Sequence, residues 1–295
     1  MNHSRARELV GKVPPITLFV IVFCVLIHVL VFLFDVDLYE FTMNPRALFY
    51  LNEWFRMFSS AFLHASLMHI AMNMMSVVAI GAALEQSIGS LTLVFLILWG
   101  IVLSGVLFSG ISWVVWKITD DPSWMVQNAV GFSGIIFTLA VVESYRSLTP
   151  TRSIFGFVQV PTRIYPWALM IVLQVMVPQI SFMGHFSGLL VGIFYSYNCL
   201  TFAMPSVLFT QEMEDWRILS WLTTWPSFQK APSEISIESA SDLFNHASSA
   251  ISTILNLLRN IFQALMAILG VHQQNNNTPA QQQWHPVPTG DVERG

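Results

Sequence analysis

The sequence predicts an all-α polytopic membrane protein, a six-span helix bundle followed by a C-terminal amphipathic helix. Composition is the first reason: 54% of the 295 residues are hydrophobic and only 10% are charged. Mean hydropathy is +0.60. A soluble domain carries about 25% charged residues, so this chain cannot cover a water-facing surface of that kind. The second reason is a series of apolar runs of span length, which in lipid must be helices that satisfy their own backbone. The third is the shortness of most connections between them, as expected for antiparallel neighbours. A net charge of −4 without a basic cluster gives no case for a nucleic-acid partner. Cys24 and Cys199 lie in apolar runs and read as packing residues, and no ligand cluster implies a metal or cofactor.

In chain order, residues 1–15 form a short cytosolic segment with Arg5, Arg7 and Lys12. The run from Ile16 to Phe34 could serve as a secretory signal. Its length, the absence of a small-residue cleavage site and the following Asp35, Asp37 and Glu40 predict a retained first span. Six spans are drawn near 16–34, 62–84, 90–112, 129–147, 164–180 and 183–203, with a polar-aromatic loop at 35–61. Together they make a six-span domain over 16–203. Lysine and arginine bias sets the orientation. Arg5, Arg7 and Lys12, then Arg146, Arg152 and Arg163, fall on the cytosolic side if the N-terminus is cytosolic. Residues 204–295 form a cytosolic tail. Within it, about 243–271 carries Ile251, Ile254, Leu258, Phe262 and Leu265 at helical spacing beside Arg259 and Asn260. That pattern favours a helix lying in the interface over a seventh span. The Gln-, Asn- and Pro-rich end is expected to be disordered.

Polar residues inside the spans are costly, and each is a functional candidate. His69 and Asn73 are early in span two, Ser133 early in span four and His185 early in span six. All three spans run the same way, so the four residues share one depth below the outer face. Gly184, Gly188 and Gly192 repeat on one face of span six, and Gly131 and Gly134 flank the serine. Small residues at such spacing let helices approach backbone to backbone.

A serine beside a histidine base is the minimal equipment for nucleophilic hydrolysis. Ser133 is the candidate nucleophile and His185 the candidate base. No carboxylate in the spans is placed to orient the imidazole, so the pair is a dyad, with Phe137 one turn after Ser133 available to stack on it. His69 and Asn73, at i and i+4 on one helix face, are candidate donors to an oxyanion, with the Ser133 backbone N–H as a third. His64 reads as an interfacial or loop residue.

These residues also carry a resemblance. Trp54-Phe55-Arg56, the run His64 to Asn73, Gly131-Phe132-Ser133-Gly134, and Gly184-His185 with Gly188 and Gly192 are similar, in order and spacing, to the signature of rhomboid intramembrane serine proteases. Glu85 with Gly89-Ser90 fits the end of that family's second span. The resemblance covers roughly 14–203 and implies Ser133 as nucleophile, His185 as base, and His69 and Asn73 in the oxyanion hole. It implies transmembrane protein substrates cut near their luminal or extracellular end. It also implies that Trp54 and Arg56 belong to a loop partly embedded in the outer leaflet. The alternative is a non-proteolytic adaptor of the same fold that binds client helices for quality control. The segment Val13-Pro14-Pro15-Ile16-Thr17 resembles the secretory-pathway members of the family, which implies a Golgi or endoplasmic reticulum membrane, with the plasma membrane left open.

Overall fold

The computed structural model describes residues 13–200 and 202–232, together with Arg259 and Gln263 as isolated helical residues. The chain begins with α1 (Pro15–Leu33). A loop follows that contains α2 (Pro45–Tyr50) and α3 (Arg56–Phe62). Then come α4 (Leu67–Ile88), α5 (Ser90–Thr119), the single turn α6 (Ser123–Val126) and α7 (Ser133–Arg146). A hairpin of β1 (Thr151–Ile154) and β2 (Val158–Pro161) leads to α8 (Tyr165–Met176) and α9 (Phe182–Ser196). Beyond it lie α10 (Val207–Glu214) and the turn α11 (Ser220–Thr223). The protein is a helical membrane bundle of six principal helices: α1, α4, α5, α7, α8 and α9.

Among the described residues, only α1, α4 and α5 are long and apolar enough to cross a membrane by themselves. The 14 residues of α7 extend about 21 Å at 1.5 Å per residue, against roughly 30 Å of hydrocarbon. A helix of that length, set among spanning neighbours, would end inside the bilayer and would put Ser133 at its tip below the membrane surface.

Several expected boundaries move, each for a local reason. Span two is expected from 62, but the helix starts at Leu67, because Ser66 caps it by accepting the His69 N–H at 3.2 Å. Span four was drawn from 129 but starts at Ser133. Ala129 is instead in an antiparallel bridge with Met43, with both N–H···O bonds at 2.9 Å. Span five ends at Met176 rather than 180, and span six at Ser196 rather than 203, where Asn198 turns the chain with φ 58°. The connection 147–164 is not a bare loop but carries the hairpin, tied to α7 by the Arg152–Glu143 ion pair. The helix expected at 243–271 lies outside the described residues except for Arg259 and Gln263.

The end of the bundle at Pro15 is knotted around one carboxylate. No side chain of α1 caps its own start. Glu85, fully buried, supplies the acceptors from 68–69 residues away. Its Oε1 accepts the Ile16 N–H at 3.0 Å and the Ser90 hydroxyl at 2.6 Å, and its Oε2 accepts the Thr17 N–H at 2.8 Å and the Thr17 hydroxyl at 2.7 Å. Every partner donates, so an amide cannot replace the carboxylate without turning two of its hydrogens against donors. Hydrogen bonds to a charged group contribute about 1.5–3 kcal/mol each. Glu85→Gln is therefore expected to cost about 3 kcal/mol, read as a lower thermal unfolding midpoint in detergent. A midpoint equal to wild type would contradict this account of how α1 is held.

At the other end, the loop before α4 is strapped to the segment that enters α7. Arg56 donates from Nη1 to the carbonyls of Tyr39 at 2.7 Å and Thr42 at 3.2 Å, and from Nε to Glu53 at 2.5 Å. Asn44 caps α2 with its oxygen and donates from Nδ2 to Asn128 at 3.1 Å. The straps leave Trp54 and Phe55 facing outward.

Candidate active site

Ser133 is the first residue of α7, and the turn before it is shaped by Gly131. Gly131 has φ 113°, a region L side chains rarely adopt, and a Cβ there would lie 2.6 Å from the His69 ring. Its N–H donates to the Ser60 carbonyl at 2.8 Å. Next to it, Phe132 is fully buried and anchors the turn in the core. Position in the helix matters here. The N–H groups of Ser133 and Gly134 belong to the first turn, which has no intrahelical acceptor, and no acceptor is found for them among the described residues. The positive end of the helix dipole lies at the same place.

His185 stands on the first turn of α9, whose start is capped by the Ser181 hydroxyl accepting from Gly184 N–H at 3.1 Å. The two helices touch through glycine. A Cβ on Gly188 would sit 1.9 Å from the Gly134 carbonyl oxygen, and one on Gly192 would sit 2.7 Å from the Thr138 oxygen. Gly184, counted in the same repeat, faces Ser181 and Ala129 instead. The contact is locked by the Thr138 hydroxyl, which donates to the Gly188 carbonyl at 2.9 Å.

The approach brings Ser133 Oγ and His185 Nε2 to 2.8 Å. Phe137 packs on the imidazole with ring centroids 4.7 Å apart. The other ring nitrogen, Nδ1, is buried without a hydrogen-bond partner among the described residues. Packing, rather than a carboxylate, thus orients the ring. A cavity of about 330 Å³ opens over the pair, lined among others by His69, Asn128, Gly131, Gln179 and Ser181. The segment 177–181, whose first four residues are expected to end span five, is loop and forms one wall of it.

The two candidate oxyanion donors part company. His69 lines the cavity with its ring against Gly131. Asn73 is buried and does not line it. Its Nδ2 donates to the His69 carbonyl at 2.9 Å and its Oδ1 has no partner among the described residues. Sequence reasoning also undervalued His64. It does lie in a loop, but it is buried at 1% exposure rather than interfacial. Its Nε2 is 3.5 Å from the Phe132 N–H, and its ring meets that of His69 edge-on at 5.1 Å. The available signal was its position five residues before His69, next to a buried leucine.

A hydroxyl in contact with an imidazole can surrender its proton to it. Unpaired N–H groups beside the hydroxyl can receive a developing negative oxygen. That combination is the chemistry of acyl transfer.

Known proteins agree with the architecture. The Rhomboid domain profile matches residues 51–202. Rhomboid-like protein 15 of Arabidopsis thaliana is 33% identical over 226 residues, 76% of this chain and 55% of its own length. Rhomboid-related protein 4 of Homo sapiens is 30% identical over 192 residues, 65% of this chain and 59% of its own. Rhomboid-type serine protease 2 of Saccharomyces cerevisiae is 31% identical over 194 residues, 64% of this chain and 70% of its own. The chain thus spans little more than half the length of the first two relatives. Helical bundle, glycine-mediated helix contact and profile match lead to one statement: this chain belongs to the rhomboid family.

Proposed function

We propose that the protein is an intramembrane serine endopeptidase acting through a Ser133–His185 dyad. The observation that carries the reading is the 2.8 Å contact between Ser133 Oγ and His185 Nε2 under a cavity. Ser133 Oγ attacks the scissile carbonyl carbon while Nε2 takes its proton. The carbonyl oxygen becomes an oxyanion held by the Ser133 N–H and the His69 ring, with Asn73 as a third donor when its amide leaves the His69 carbonyl. The intermediate collapses, the C–N bond breaks, and the Nε2 proton passes to the departing amine. A water, deprotonated by Nε2, then hydrolyses the acyl ester and restores the serine.

The substrates proposed are transmembrane helices that unwind near their luminal or extracellular end. An intact helix hides its carbonyls in i to i−4 bonds, so only an unwound stretch can present one to Ser133. The membrane proposed is that of the Golgi or endoplasmic reticulum. A second reading is the adaptor, favoured by the names of the Arabidopsis and human relatives, which contain no protease term. A reporter transmembrane segment incubated with wild type and Ser133→Ala separates the two: loss of the product in the variant supports the enzyme, and equal product in both sinks the dyad.

Asn73 provides a finer test. Loss of one oxyanion donor costs about 10²–10³ in kcat in soluble hydrolases. Because Asn73 Nδ2 is already bound to its own helix, Asn73→Ala is expected to lower kcat by about 10-fold, short of that range, with KM little changed. A variant that only raises KM removes Asn73 from the oxyanion hole.

A further inference from the structure

We propose that residues 207–225 form an interfacial foot embedded in the leaflet at the Pro15 end of the bundle, with phospholipid acyl chains as its partner. The inference goes beyond the peptidase reading and does not depend on it. Under the orientation expected from charge, this is the cytosolic leaflet, and the foot is a segment that sequence alone assigns to a cytosolic tail.

The foot turns most of its large apolar side chains outward. Two of the side chains it turns inward, Thr210 and Glu214, are polar and bonded. Glu214 Oε1 accepts the Ala231 N–H at 2.7 Å, and just beyond the foot the Ser227 hydroxyl donates to the Val13 carbonyl at 2.9 Å. The chain just beyond the foot is stitched to α5. Ser90 N–H donates to the Gln229 carbonyl at 2.8 Å, and Gln229 N–H donates to the Ser90 hydroxyl at 3.1 Å. Leu222 is buried, and Met213 and Leu219 pack half-buried against the core. Most of the larger apolar side chains face outward: Leu208, Phe209, Trp216, Ile218 at 77% exposure, Trp221 at 68% and Trp225. A contiguous patch of exposed tryptophan, phenylalanine, leucine and isoleucine marks an interaction or membrane surface, not a water-facing one.

Continuity with the spans names the partner. An apolar groove of about 460 Å³ is walled by Phe19 and Val22 of α1, Leu98 of α5, and Trp221 and Trp225 of the foot. Phe19, Val22 and Leu98 are exposed on the membrane-facing flank of the bundle. The lipid that covers them also meets the tryptophans, without a break in the surface. Tryptophan is the residue enriched at the level where chains meet headgroups, and the hydrogen bonds to Val13 and Ser90 hold the foot at the ends of α1 and α5, at that level.

The test uses the full-length protein reconstituted in phosphatidylcholine vesicles. In a Cys199→Ser background, a single cysteine replaces Ile218 or, as the water-facing control, the exposed Lys230. Cys24 is fully buried, and the background protein alone reports any labelling there. An environment-sensitive fluorophore on each cysteine is quenched either by a nitroxide on a shallow acyl carbon or by iodide present on both sides. At 218 the lipid quencher is expected to act about threefold more strongly than iodide, as for a residue lying at the acyl boundary, with the order reversed at 230. Iodide quenching at 218 equal to that at 230 overturns the proposal. So does protection at 218 that fades as protein is diluted in lipid, because a second copy of the chain then covers the face.

Discussion

Replacing Ser133 or His185 with alanine removes cleavage while the protein stays folded, and the double variant is no worse than either single one. The two side chains share one hydrogen bond and act in one proton transfer, so losing either loses the unit. In soluble serine hydrolases such losses exceed about 10³-fold in kcat and are grossly non-additive. Folding is spared because Ser133 is only partly buried and its hydroxyl makes no bond to another helix except to His185. The check is a turnover assay on the three variants beside a thermal unfolding curve. Additive losses would mean that the two residues do not work together.

Gly188→Ala is expected to damage both stability and activity. The added Cβ would lie 1.9 Å from the Gly134 carbonyl oxygen, where contacts below 3.0 Å are essentially never seen. Backbone cannot rotate aside as a side chain can, so α7 and α9 must separate by about 1 Å or more in a closely packed core. Overpacking of this kind costs about 1–3 kcal/mol or more. The separation also breaks the Thr138–Gly188 bond and pulls His185, one turn earlier, from Ser133. A misplacement of about 1 Å can cost 10²-fold in rate. Gly110→Ala is the control: nothing lies within 4 Å of its Cβ position, and activity and unfolding midpoint should match wild type. Equal behaviour of the two variants would contradict the glycine contact.

What the sequence reveals follows from which physical rule is local. The six apolar runs are legible because lipid demands continuous helices. The meeting of Ser133 and His185 is legible from shared depth and glycine spacing, and the Phe137 contact from one helical turn. The reading misses structure where a long-range contact, or a short side-chain bond to the backbone, overrides the apolar pattern. The run 129–132 is apolar and span-like, yet Met43 and the left-handed turn at Gly131 hold it extended. Leu63 to Ser66 looks continuous with span two until the Ser66 cap is seen. Asn73 has the right spacing for a donor, but its amide turns to its own helix. His64 looks peripheral because its partner, the Phe132 amide, is 68 residues away. The wide π-type turn at Val77–Gly81 in α4 leaves no mark in the pattern of apolar residues.

The most direct test of an intramembrane serine peptidase is cleavage in a defined membrane. The purified protein is reconstituted with one reporter transmembrane segment, and the products are weighed by mass spectrometry. The expected result is a pair of fragments whose masses sum to the substrate plus one water, meeting near the end of the segment at the Ser133 depth, and absent with Ser133→Ala. Intact substrate that co-purifies equally with wild type and Ser133→Ala would contradict the enzyme and leave a helix-binding adaptor.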